Sequence, residues 1–178
     1  MKFGRLGRVL ATAAVLTLFG AGTAHAGSVY QFDDGFEGDP ASRFVADHDG
    51  SAATGYDLGQ GTARSGANNG WLFASNGWAG EGVWHNVESW PVGWRCFAAF
   101  YAQPIGGGAQ VGIEVRDPIG RLITSAAPWL PGSGYQQVAT GQFSVDGAGW
   151  VELRAVYGNS SGSPRTIRID DFVLQCAP

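Results

Sequence analysis

Thr166-Ile167-Arg168-Ile169-Asp170-Asp171-Phe172-Val173-Leu174-Gln175-Cys176 alternates polar and apolar residues almost to the end of the chain. A β-strand sends successive side chains to opposite faces, so the period of two predicts a strand with Asp170, Phe172, Leu174 and Cys176 on one side. The same period recurs upstream. Arg95 to Tyr101 sets Cys96, Ala98 and Phe100 against Phe97, Ala99 and Tyr101, and Gln110 to Arg116 sets Val111, Ile113 and Val115 against Gly112, Glu114 and Arg116. Trp150 to Tyr157 sets Val151, Leu153 and Ala155 against Trp150, Glu152 and Arg154. Asp117-Pro118-Ile119-Gly120 reads as the turn of a hairpin into Arg121 to Ser125, because proline presets the first turn angle and glycine accepts the left-handed one. Tyr135 to Thr140 and Gln142 to Val145 are further strands. Those around Thr54 to Leu58 and Trp71 to Ala74 lie in a Gly- and Ser-rich stretch where the alternation is weaker. No segment after residue 26 holds apolar residues at helical spacing for three turns, and short alternating runs punctuated by glycine predict an all-β antiparallel sandwich.

The chain begins differently. Lys2, Arg5 and Arg8 precede an apolar run from Val9 to Phe19, and Ala24-His25-Ala26 stands before Gly27. These are the parts of a secretory signal peptide over residues 1–26, which predicts a secreted, extracellular protein with a single domain over residues 27–178. The apolar run is shorter than the roughly 20 residues of a membrane span, so no membrane association is expected. Of 11 Lys and Arg, three belong to the leader, and the remaining eight, all Arg, face 15 Asp and Glu. That acidic balance argues against nucleic acid and anionic lipid as partners. A lysine-free mature chain is also in keeping with a GC-rich bacterial genome. A monomer is expected.

Cys96 and Cys176 are the two cysteines of the chain. In an exported protein without Cys-x-x-Cys or His-x-x-x-His spacing they predict a disulfide. Both fall on core-type faces, and if their strands are antiparallel neighbours, the start of one lies beside the end of the other, as a bridge requires.

The terminal strand Ile167 to Leu174 resembles that of galactose-binding-like jelly rolls, especially cellulose- and xylan-binding modules of families four, nine, sixteen and twenty-two. Further matches follow in order: Asp34-Gly35-Phe36-Glu37, Ala63-Arg64-Ser65-Gly66, Trp84 and Pro91 leading into Arg95 to Tyr101, and Gly141-Gln142-Phe143-Ser144-Val145. The resemblance implies a two-sheet jelly roll and a non-catalytic module that binds polysaccharide or glycan. It also implies a structural calcium ion (Ca2+) where the first and last strands meet, with Glu37 and Asp170 as side-chain ligands, Asp34 as a further candidate and backbone carbonyls completing the shell. Carboxylates from two distant segments suit a hard ion that takes six to eight oxygens, and the alternative is solvated carboxylates at strand ends, with one of Asp170 and Asp171 holding a turn.

Pyranose rings stack their apolar faces on aromatic rings while their hydroxyls seek polar side chains. Among seven tryptophans, Trp71 and Trp94 adjoin apolar strands and read as packing residues. Trp78, Trp84 and Trp129, in or near glycine- and proline-rich segments, read as surface candidates or as buried loop plugs. Tyr101, Glu114, Arg116, Trp150, Glu152 and Arg154 alternate outward on three strands and would share one face if those strands share a sheet; the plain alternative is a wet face of Glu and Arg pairs. Catalytic residues are not expected. No Gly-x-Ser-x-Gly elbow occurs, His48 and His85 have no marked nucleophile, and no carboxylate pair shows the short even spacing of a sandwich glycosidase. The alternative function is a secreted structural or protein-interaction jelly roll without sugar binding.

Overall fold

The computed structural model describes residues 29–178, so the leader expected over residues 1–26 lies outside the described residues. The alternating runs form strands β1 (Tyr30–Asp34), β2 (Phe44–His48), β3 (Ser51–Leu58), β4 (Asn68–Asn86), β5 (Arg95–Ile105), β6 (Ala109–Gln110), β7 (Gly112–Arg116), β8 (Leu122–Ala126), β9 (Trp129–Leu130), β10 (Gln136–Ala139), β11 (Trp150–Asn159) and β12 (Arg165–Ala177). A single 3-10 turn, Pro40–Ser42, precedes β2. Among the described residues no helix is long and apolar enough to cross a membrane.

All named pairings are antiparallel, and apart from a two-stranded ladder of β6 with β9, which holds Trp129, they make two layers. The first sheet runs β3, the first half of β4, β12, β5, β10, with β1 beside the last half of β12. The second runs β2, the last half of β4, β11, β7, β8. β4 belongs to both. It passes between them at Asn76 and Gly77, where φ is +127° and a Cβ would stand 2.4 Å from the Asp49 carbonyl, so no larger residue fits the crossing. The inner faces meet in one apolar core, with Leu72, Phe100, Ile167 and Leu174 from the first sheet and Val83, Ile113, Leu153 and Ala155 from the second. Phe172 stacks on Phe100 with ring centroids 5.0 Å apart, and Phe36 stacks on Phe44 at 4.1 Å.

Cys96 and Cys176 face each other across β5 and β12 and are bridged, as expected. Two expectations for this region need correction. The β12 ladder shifts register between Asp170 and Val173, with Asp171 at φ +51°. That bulge breaks the simple alternation. Phe172, Leu174 and Cys176 point to the core, whereas Asp170 pairs with Tyr101 and turns the other way, beneath the backbone of Arg64 and Ser65. Gln142 to Val145 is not a strand of its own, since only Phe143 bridges to Cys96 there.

Candidate functional site

Period two separates inside from outside but does not say which sheet a strand joins, and here that matters. β5 lies in the first sheet and β7 and β11 in the second. Tyr101 therefore stands on the opposite outer surface from Glu114, Arg116, Glu152 and Arg154, and the shared face expected for all of them does not exist. The second sheet gathers the others. Register places Glu152 between Trp84 and Arg116, Arg154 between Gly82 and Glu114, and Gly158 beside Trp78. Trp78 and Trp84, read as surface candidates or loop plugs, are strand residues of β4 that flank Gly80 and Gly82 on the same outward side.

Those two glycines shape the surface. A Cβ at Gly80 would lie 2.5 Å from Arg154 Nε, and one at Gly82 would lie 2.2 Å from Glu152 Oε1. The Arg154 and Glu152 side chains lie down across β4 instead of standing into water, so they are only 9% and 6% exposed. The Arg154 guanidinium donates from Nη2 to Asp47 Oδ2 at 2.6 Å and sits 5.1 Å from the Trp78 ring. Among the described residues its buried Nε–H has no partner. Burial raises the Glu152 carboxyl above its ordinary pKa, against the opposing pull of Arg154 and Arg116. Arg116 donates to Glu114 Oε2 at 2.8 Å and to the Gly120 carbonyl at 3.0 Å, which fixes the far wall.

Trp78, Glu114, Arg116, Arg154 and Val156 line a depression of about 330 Å³ on this surface. A second depression, about 320 Å³, holds Trp129 and Gln110. Both are bordered by Tyr157 and Gly158, so they adjoin at one end of β11. Trp129 is 69% exposed. One depression thus sets Trp78 beside Glu114, Arg116 and Arg154, and the adjoining one holds the exposed Trp129. A buried donor without a partner is costly, roughly 1–3 kcal/mol, and the Arg154 side chain carries that cost to lie across β4.

The three carboxylates expected to hold calcium take separate partners. Asp34 accepts Arg43 at 2.7 and 3.0 Å and the Phe36 N–H at 2.9 Å. Glu37 Oε1 accepts the Ala67 and Asn68 N–H groups at 2.8 and 3.0 Å. Asp170 Oδ2 accepts those of Arg64 and Ser65 at 2.7 and 3.2 Å, while Arg64 itself pairs with Asp171. Among the described residues, no three His, Cys, Asp or Glu side chains gather where an ion could sit.

Other placements depart from the expectation. His85 is half-buried, stacked on Phe32 at 4.4 Å, and burial lowers its pKa. Trp71 is not a core residue but lies on the outer surface of the first sheet. Glu81, which no pattern singled out, points into the core and is fully buried, with Tyr56 Oη donating to its Oε1 at 2.5 Å and Oε2 unpartnered.

No protein-family model and no curated protein sequence matches the chain. Solved structures do. The CBM22-1 xylan-binding domain of Xyn10C from Paenibacillus barcinonensis superposes with a TM-score of 0.58 at 16% identity, over 87% of this chain and 98% of that one. The C-terminal family 22 carbohydrate-binding module of Xyn10B from Clostridium thermocellum gives 0.56 at 17%, over 82% and 92%. TmCBM61, solved with β-1,4-galactotriose, gives 0.55 at 16%, over 79% and 92%. The chain therefore has the β-sandwich jelly-roll fold of carbohydrate-binding modules.

Proposed function

We propose that the protein is a secreted, non-catalytic glycan-binding module whose ligand lies along the outer surface of the second sheet. One observation carries this reading: Trp78, Glu114, Arg116 and Arg154 line one depression on that surface, an aromatic ring beside a row of hydrogen-bonding groups. Trp78 and Trp129 supply stacking faces, and Arg154, Glu152, Glu114 and Arg116 supply donors and acceptors for hydroxyls. Trp84 borders the same surface at its other end. The fold it shares with modules named for xylan and galactan oligomers supports the assignment, and Tyr101 has no part in it.

The test is retention of residues 27–178 on insoluble cellulose, xylan, chitin and β-glucan. Binding to at least one is expected, and Trp78→Ala should weaken it at least tenfold, equivalent to about 1.4 kcal/mol. Release of reducing ends would make the protein an enzyme. Neither retention nor release would leave a structural or protein-interaction jelly roll.

In this reading the junction of the first and last strands is held by internal cations and backbone amides. Arg43 neutralises Asp34, and Arg64 neutralises Asp171. Calcium, which takes six to eight oxygens, would find Glu37 and Asp170 already engaged with N–H donors. A chelator is accordingly expected to move the melting temperature by less than about 2 °C, where loss of an ion bound at 100 times its Kd would cost about 2.7 kcal/mol. A fall of 5 °C or more, restored by added calcium, would show that an ion is bound.

A further inference from the structure

The opposite outer surface, that of the first sheet, is also built for a ligand. Register lines up Gly55, Trp71, Arg168 and Gln103 across β3, β4, β12 and β5, with Phe73, Thr166 and Ile105 in the neighbouring row. These rows border a groove of about 420 Å³. Trp71 does not stand upright in it. A Cβ at Gly55 would fall 2.3 Å from Cζ2 and 2.7 Å from Cε2 of the indole, so the ring lies over the backbone of β3. One face of the ring is packed on the strand and the other is left to the groove.

The polar groups beside this platform have capacity to spare. Arg168 Nε stands 3.7 Å from Asp57 Oδ2, an ion-pair distance too long for a hydrogen bond. Among the described residues the Arg168 guanidinium makes no side-chain hydrogen bond. Asp57 Oδ2 accepts Thr62 Oγ1 at 3.2 Å and Asn69 Nδ2 at 3.5 Å, which orients the carboxylate. A cation and an anion straddle β4 here, so the groove has both a donor array and an acceptor but no net charge to attract an ionic ligand.

We propose that this groove is a second glycan site, which takes a neutral pyranoside chain by stacking a ring on Trp71 and bonding its hydroxyls to Arg168 and Asp57. The charge balance selects a neutral ligand over an anionic one, and the pairing of a flat apolar platform with a polar edge matches the two faces of a sugar ring. The site is separate from the surface of Trp78 and Arg154. Because the two surfaces are the outsides of a sandwich, one copy of the protein joins two glycan chains.

The test is a titration of the full mature chain with cellohexaose and with xylohexaose, followed through the indole N–H resonances. A saturable shift of the Trp71 resonance is expected with at least one of them, weakened at least tenfold by Arg168→Ala and unchanged by Trp78→Ala. Trp71→Ala should abolish binding on this surface, and Asp57→Asn, which leaves the indole in place, guards against a Trp71 variant that fails to fold. Shifts at Trp78 but not Trp71 would overturn the second site and keep the first. Shifts at Trp71 alone would establish the second site independently of the first, and no Trp71 shift with either oligosaccharide would overturn the second site.

Discussion

Replacing Cys96 and Cys176 together by alanine is expected to lower stability by roughly 3–5 kcal/mol. The bridge joins residues 80 apart and closes a loop that holds β6 to β11, so in its absence the unfolded chain gains the freedom of more than half of the described residues. For a chain of this size each kcal/mol moves the melting temperature by about 2–4 °C, so the double variant should melt roughly 10 °C lower in a calorimetric scan. Both sulfurs are buried, and alanine leaves no unmet polar group in their place. The register of β5 and β12 pairs the two cysteines directly, so the native sheet should survive the change. A loss under 1 kcal/mol would mean that the unfolded ensemble is already compact between these positions.

The protein should be more stable in mild acid than at neutral pH, and Glu81 is a principal reason. Desolvation in the core raises its pKa, with Tyr56, Thr54 and Arg154 opposing the shift. Asp170 is raised to about 6, chiefly by burial, with the Ser65 and Arg64 amides opposing and the Asp171 charge adding to it. Burial raises Glu152 in the same direction. A carboxyl whose folded pKa exceeds its unfolded one stays protonated in the fold after the unfolded chain has released its proton. Its stabilising effect is whole below the unfolded pKa, near 4, and is lost as pH rises through the folded value. The melting temperature should therefore fall between about pH 4 and pH 6 to 7 and then level off. Glu81→Gln keeps an acceptor for the Tyr56 hydroxyl while removing the charge. It should flatten part of that slope and raise stability at pH 8 by on the order of 1–3 kcal/mol. A variant with the slope unchanged would show that Glu81 is neutral throughout or is reached by water.

Much of the architecture was legible because strands that are buried on one side write their period into the chain. Val111, Ile113 and Val115, or Val151, Leu153 and Ala155, could have been placed in no other way. That Trp78 and Trp84 belong to a strand is hidden because Gly77, Gly80 and Gly82 look like punctuation. Gly80 and Gly82 are in fact strand positions kept bare so that Arg154 and Glu152 can lie across them. No local signal marks that, since the side chains that need the space belong to β11, some 70 residues away. Tyr101 was read correctly as outward and wrongly as part of the same surface, because alternation is blind to the layer a strand joins. Trp71 could have been found. It alternates with Leu72 and Ala74, both core residues, and period two would have turned it and Phe73 outward. The turn of Asp170 away from the core depends on a bulge at Asp171, and a single residue in left-handed conformation leaves no trace in a pattern of polarity.

The long strand Asn68–Asn86 is zipped on both edges along its length, to β3 and β12 in one layer and to β2 and β11 in the other. A pull on either outside of the molecule thus travels along one unbroken backbone into the other layer. There it meets rows of cross-strand bonds that must slide together and cannot be peeled off singly. If both outer surfaces hold glycan chains as proposed, the load between them passes through this one strand.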